Sequence, residues 1–184
     1  MKQENMVAYI LRLAVTLLLI AAIVAAALAG INAITAPVIA KLQAEKTQKA
    51  IETVLPGGYN EKLTTFDDQN GAVTAVYKGE NGYAVNVEVA GFGGTITMMV
   101  GVDNAGKVLG ISIISHAETA SLGSVAADNS GKGIAFREQF IGMSGTLAVT
   151  KDGGSVDAIT SATITSRAVT NGVNIALACV AALG

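Results

Sequence analysis

Cysteine and histidine are nearly missing from this 184-residue chain: Cys179 is the one thiol and His116 the one imidazole. A single cysteine excludes an internal disulfide framework and a cysteine metal site. A single histidine leaves no multi-histidine metal centre and makes a Ser/His/Asp hydrolase a poor fit. No resident metal and no catalytic triad are therefore expected. Basic charge is also scarce where a nucleic acid would need it. Residues 41–184 hold ten Lys or Arg against thirteen Asp or Glu, a formal charge of −3, whereas nucleic-acid binding asks for a basic face.

Charge is absent altogether from Leu13 to Ala40. That stretch exceeds the ~20 apolar residues a helix needs to cross a bilayer. Lys2 and Arg12 precede it and favour a cytoplasmic N-terminus, although Lys41, Lys46 and Lys49 sit on the other side. "ALAG" at 27–30 resembles a signal-peptidase site, but the uncharged run is longer than a signal peptide's core. The expectation is a retained anchor with residues 14–35 helical in the membrane. The organisation that follows is a cytoplasmic N-terminus at 1–12, a transmembrane helix at 13–36, a helical stalk at 37–56 and an extracytoplasmic domain at 57–184. Pro37 is expected to open the stalk as a second helix. Val38, Leu42, Ile51 and Leu55 share one face of it, and "PGG" at 56–58 should end it.

Strand signals come next. "AVTAVY" and "YAVNVEV" flank "KGENG", and "TITMMVGV" and "VLGISIIS" flank "DNAGK", which gives two hairpins. A helix is predicted to run to "FREQFIGMSG", and a further strand at "TLAVTK". The last helix should begin near Thr165 or Ser166 and bury Val169, Val173, Ala176, Val180 and Leu183. The fold class is α+β: one N-terminal membrane helix and stalk, then a mainly antiparallel sheet with flanking helices.

Three stretches offer chemistry. "DAITSATITS", residues 157–166, packs five hydroxyls ahead of the final helix. They read either as helix caps after a short strand or as a reactive hydroxyl, with Thr163 two or three residues before unpaired N–H groups that favour a phosphate. "SHAETASLG", residues 115–123, offers a carboxylate, an imidazole and hydroxyls, or is a plain solvated loop. "GFGG", residues 91–94, allows a bend or the close approach of a ligand.

Together these stretches resemble the covalent FMN-binding domain family. Asp157, Thr160, Ala162 and Thr163 match its flavinylation motif, with Ser161 standing where glycine is usual. His116, Glu118, Thr119, Leu122 and Gly123 match its His-x-Glu-Thr-Pro-Gly-Leu-Gly stretch, with Ala120 and Ser121 replacing Pro-Gly. The order of motifs and the single span are most similar to the G subunit of the Rnf complex, a membrane ferredoxin:NAD oxidoreductase. The C subunit of the sodium-translocating NADH:quinone reductase is a longer relative.

The resemblance implies an electron-transfer subunit of an ion-pumping complex in the cell membrane, with the other membrane subunits as partners. It also implies a flavin transferase that takes FMN from FAD and joins it by a phosphodiester to Thr163. Thr160, Ser161, Ala162, Ile164 and Thr165 would surround the attachment, with the phosphate near the hydroxyls of Thr165 and Ser166. The ring would lie along Glu118, Thr119, Leu122 and Gly123. A free-standing extracytoplasmic flavoprotein is the alternative within this chemistry, and a noncatalytic anchored binding or assembly module is the alternative outside it.

Overall fold

The computed structural model describes residues 2–63 and 71–183. The chain divides into two compact units, residues 1–45 and 46–184.

The described residues of the first unit are all helical, as part of α1 (Lys2–Val54). Its side chains from Met6 to Glu45 are exposed, with Leu18 at 67% and Ile34 at 74%. A run of exposed leucine, isoleucine and valine on every side of a helix is unfavourable in water and suits hydrocarbon. Among the described residues two helices are long and apolar enough to span a membrane, but 56% of the apolar window in the second, α3 (Thr163–Leu183), is buried within the fold. It is a core helix. Pro37 does not open a second helix, because it lies inside α1. Proline removes one backbone donor, while Ala33, Ala36 and Ala40 around it are strong helix formers that carry the helix through.

The second unit is built on a five-stranded antiparallel meander, β1 (Glu61–Leu63), β2 (Val73–Lys78), β3 (Gly82–Ala90), β4 (Thr95–Asp103) and β5 (Val108–Ser115), in that spatial order. Register is set by period-two alternation. Val85 faces Val100 and Val87 faces Met98 across β3 and β4, on the side covered by α3. On that side Val169, Val173, Ala176 and Val180 are buried as their spacing predicted, and Leu183 is partly buried. Each fully buried valine contributes roughly 1.5 to 3 kcal/mol as an upper estimate. The opposite face takes the end of α1, where Ala50, Ile51, Val54 and Leu55 pack on Ala75, Tyr77, Ala84 and Met99. α1 stops at Val54, just before Pro56, as expected. Of the predicted stalk stripe, Ile51 and Leu55 are buried whereas Val38 and Leu42 are exposed.

Two predicted elements differ and one strand was not predicted. The helix expected after residue 123 is two pieces, a 3-10 turn at Gly123–Ala126 and α2 (Gly131–Glu138), which ends before Gly142 and Gly145 turn left-handed. "TLAVTK" is not a strand of the sheet. Asn174 of α3 holds Leu147 through both its backbone N–H and its carbonyl, each at 2.8 Å. Residues Thr150–Asp152 form a 3-10 turn, and the chain folds back so that Val149 bridges Val156. Its backbone groups are thus satisfied by Asn174 and by the turn rather than by the sheet. The third difference is β1, a three-residue edge strand too short to leave a periodic signature.

Candidate functional site

Three loops meet at one end of the sheet: the β3–β4 turn at 91–94, the segment 116–123 after β5, and 157–162 leading into α3. The side chain that joins them is Glu118, only 9% exposed. Its Oε1 accepts the Gly93 N–H at 3.0 Å and its Oε2 accepts the Thr165 hydroxyl at 2.5 Å. The backbone N–H of Glu118 donates to His116 Nδ1 at 3.2 Å, so the exposed histidine holds the strand exit. Glycine in "GFGG" is explained by close approach, though to protein. A Cβ on Gly93 would strike the Ala117 carbonyl and lie 3.1 Å from Glu118 Cα.

The third loop is shaped by left-handed backbone. Ser161 has φ 63° and Ser121 has φ 62°, in the two segments where serine stands in place of the glycine of the motifs. Non-glycine residues pay roughly 1 to 2 kcal/mol for that conformation. The turn at Ser161 brings the chain into α3 earlier than its hydrophobic spacing suggested: the helix begins at Thr163, not near Thr165 or Ser166. Helical bonding opens with Ser166 N–H donating to the Ala162 carbonyl at 3.0 Å. Thr163, Ile164 and Thr165 are thus first-turn residues, whose N–H groups lack an intrahelical acceptor by position.

Thr165 and Ser166 are buried and are not N-caps. Thr165 serves Glu118. The Ser166 hydroxyl accepts the Ile159 N–H at 2.9 Å and donates to the Ala162 carbonyl at 3.0 Å, which pins the preceding turn. Both hydroxyls donate to acceptors within the protein, Thr165 to Glu118 and Ser166 to the Ala162 carbonyl.

Between the loops lies a cavity of 330 Å³ lined by Phe92, Glu118, Thr119, Leu122, Gly123, Ser161, Ala162, Thr163, Ile164 and Thr165. Of the ten residues expected to hold the flavin at Thr163, surround the attachment or lie along the ring, nine line it. The tenth, Thr160, faces a neighbouring 560 Å³ cavity with Ser121, Lys132, Phe136, Gln139 and Asp157. Asp157 is gripped by Gln139 through its backbone N–H (2.8 Å) and carbonyl (3.2 Å), which leaves its carboxylate exposed.

Beside the cavity residue Thr163, Lys151 Nζ donates to Thr163 Oγ1 at 3.0 Å. Arg167 grips the Asp152 carboxylate with two hydrogen bonds, from Nε at 2.7 Å and a terminal nitrogen at 2.6 Å. Arg167 holds the Asp152 carboxyl below its ordinary pKa, and Asp152 in turn raises that of Arg167. Sequence reasoning does not find Lys151, Asp152, Arg167 or Gln139. They sit 12 to 18 residues from their partners, and nothing in local spacing marks them.

The arrangement suits a planar aromatic group with an anionic tail. Phe92, Leu122 and Ile164 are 68%, 41% and 51% exposed around the cavity and provide apolar walls. Thr163, the Lys151 ammonium and the open first turn of α3 provide the polar end. Among the described residues, no cluster of His, Cys, Asp and Glu could hold a metal.

Comparison with known proteins agrees with this geometry. Residues 91–178 match the FMN-binding domain, from the "GFGG" turn to the later part of α3. The G subunit of the ion-translocating oxidoreductase complex of Methanosarcina acetivorans is 31% identical over 179 residues, covering 91% of this chain and 93% of that protein. The G subunit of the proton-translocating ferredoxin:NAD(+) oxidoreductase complex of Clostridium ljungdahlii is 36% identical over 79% of this chain and 78% of its own length. Its counterpart from the Na(+)-translocating complex of Acetobacterium woodii is 30% identical over 91% and 90%. Since similarity extends across nearly the full length of such relatives and includes all three loops of the cavity, the chain belongs to the family of G subunits of ion-translocating oxidoreductase complexes and carries its FMN-binding domain.

Proposed function

We propose that this protein is the electron-transfer subunit of an Rnf-type ferredoxin:NAD oxidoreductase complex and carries FMN bonded through its phosphate to Thr163 Oγ1. When bound, the flavin supplies the redox chemistry. The chain's own residues position it. Thr163 offers the hydroxyl at the first turn of α3, where unpaired N–H groups and the helix dipole favour a phosphate. Phe92, Leu122 and Ile164 shield an aromatic ring while leaving an edge open to a redox partner. Thr119 and the backbone of 119–123 face the ring's polar edge, and Glu118 fixes the three loops around it. The observation that carries this reading is that nine of the ten residues expected to hold or surround the flavin, Thr163 among them, line one cavity.

α1 anchors the domain in the cell membrane, with residues 13–36 in the bilayer, 37–56 as a stalk and 57–184 on the outer side. The other membrane subunits are its working partners, and a flavin transferase using FAD is its maturation partner. The names of the relatives favour a G-type over a C-type subunit or a free-standing flavoprotein.

Intact mass of the chain purified after co-expression with a flavin transferase tests the reading. The expected mass is the full chain plus one FMN less one water, with flavin absorbance. A colourless chain of unmodified mass would leave only the noncatalytic anchored module.

A further inference from the structure

We propose that Lys151 positions the Thr163 hydroxyl for flavin transfer and then neutralises the phosphodiester formed there, an inference that rests on Thr163 being the acceptor. Lys151 Nζ lies 3.0 Å from Thr163 Oγ1. An ammonium has donors and no acceptor, so the threonine oxygen accepts and its own proton stays available to a base. The lysine is brought there by construction. Its neighbour Asp152 is clamped by Arg167, which lies one helical turn beyond Thr163 on α3. The turn is closed by Thr150 N–H to the Val156 carbonyl at 2.8 Å and by Gly154 N–H to the Val149 carbonyl at 3.1 Å. Two residues four apart on α3 thus hold two consecutive residues of the turn, and the helix that presents the hydroxyl also anchors the cation beside it.

The charge distribution points the same way. A cation at the positive end of a helix is unfavourable on its own. The first turn of α3 contains no acidic residue, and the one carboxylate in the turn is taken by Arg167. An anion on Thr163 turns that unfavourable placement into a charge-assisted hydrogen bond. In the transfer, Thr163 Oγ1 attacks the FMN-side phosphorus of the FAD pyrophosphate. The Oγ1–P bond forms, the bond from that phosphorus to the AMP phosphate breaks, and AMP departs with the electron pair. The hydroxyl proton passes to a base of the transferase. No electron is gained or lost, and the product is a singly charged phosphodiester beside the ammonium.

The test is a time course of FMN attachment to the purified full-length chain in detergent, with flavin transferase and FAD, read by intact mass and in-gel fluorescence. Lys151→Gln is expected to slow attachment by about 10- to 100-fold, the scale of losing one charge-assisted hydrogen bond. Lys151→Arg should recover most of the rate. Asp152→Ala should slow it less than Lys151→Gln. Because Lys151 is exposed, its variants should melt with the unmodified wild type. In the small fraction of Lys151→Gln that does become labelled, the phosphodiester ³¹P resonance should move relative to wild type. Attachment to Lys151→Gln at the wild-type rate, or an equally slow Lys151→Arg, would overturn the role of the lysine while Thr163→Ala stays dark. If Thr163→Ala itself becomes labelled, the acceptor reading fails and the lysine proposal falls with it.

Discussion

Replacing Glu118 by alanine should loosen the whole site without touching Thr163. The side chain is 9% exposed and accepts from both Gly93 N–H and Thr165 Oγ1. Removing it leaves the buried Thr165 hydroxyl without its acceptor, whereas Gly93 is exposed and its N–H can turn in part to water. Hydrogen bonds to a carboxylate contribute roughly 1.5 to 3 kcal/mol each, so about 3 to 5 kcal/mol is the reasonable upper range for the pair. Against a total of about 5 to 15 kcal/mol for a domain, that is a large share. Glu118→Gln keeps an acceptor for Gly93, and the Thr165 hydroxyl can rotate to accept from the new amide, so it should cost only about 1 kcal/mol. Thermal melting of the full chain in detergent reads the difference. Glu118→Ala should fall by about 8 to 15 °C and Glu118→Gln by a few degrees. If alanine melts within about 2 °C of wild type, less than one such hydrogen bond is worth, the carboxylate does not hold the loops together.

Other outcomes follow from the same geometry. Ser161→Gly and Ser121→Gly should each raise stability by about 1 kcal/mol in denaturant titrations, because glycine adopts the left-handed conformation without strain; destabilisation by both would show that the backbone there is not left-handed. Gly123→Ala should destabilise by about 2 kcal/mol or more, since its Cβ would contact Glu118 Oε2 and lie 2.6 Å from Thr165 Oγ1; a melting point equal to wild type would refute that packing. The Asp152 carboxyl is held below its ordinary pKa by the Arg167 hydrogen bond. Because the folded-state value is the lower one, its contribution is complete above the ordinary carboxylate range and is lost as pH falls through the depressed value. The melting-point gap between wild type and Asp152→Asn should therefore be flat from about pH 5 to 8 and close only in stronger acid; a gap that grows from pH 5 to 8 would contradict this.

Much of the fold is legible in the sequence because it is local. The Asn81-Gly82 and "DNAGK" turns fix two hairpins, the apolar runs flanking them mark β2 to β5, and 3.6-residue spacing identifies the core side of α3. What is not legible depends on contacts distant in sequence. "TLAVTK" has strand composition, but Asn174, 27 residues beyond Leu147, takes up its backbone groups. Hydrophobic spacing places the start of α3 too late because it marks only the buried face, whereas the helix opens just after a left-handed serine that carries no such mark. At the site, the residues that define the cavity are legible from motif chemistry. Their division of labour is not. Glu118 and Thr165 are partners 47 residues apart, a pairing that no local spacing marks. The serines at 121 and 161 depart from the motif in sequence, yet the backbone keeps the conformation that glycine would adopt there.

The central claim, that Thr163 bears the flavin, is tested most directly by peptide mapping of the chain made together with its flavin transferase. Denatured and digested protein should yield one fluorescent peptide containing residues 157–166, with fragmentation placing FMN on Thr163, and Thr163→Ala should give a folded chain whose gel band is dark. Flavin found on Thr160, Ser161 or Thr165, or a Thr163→Ala chain as fluorescent as wild type, would contradict the assignment.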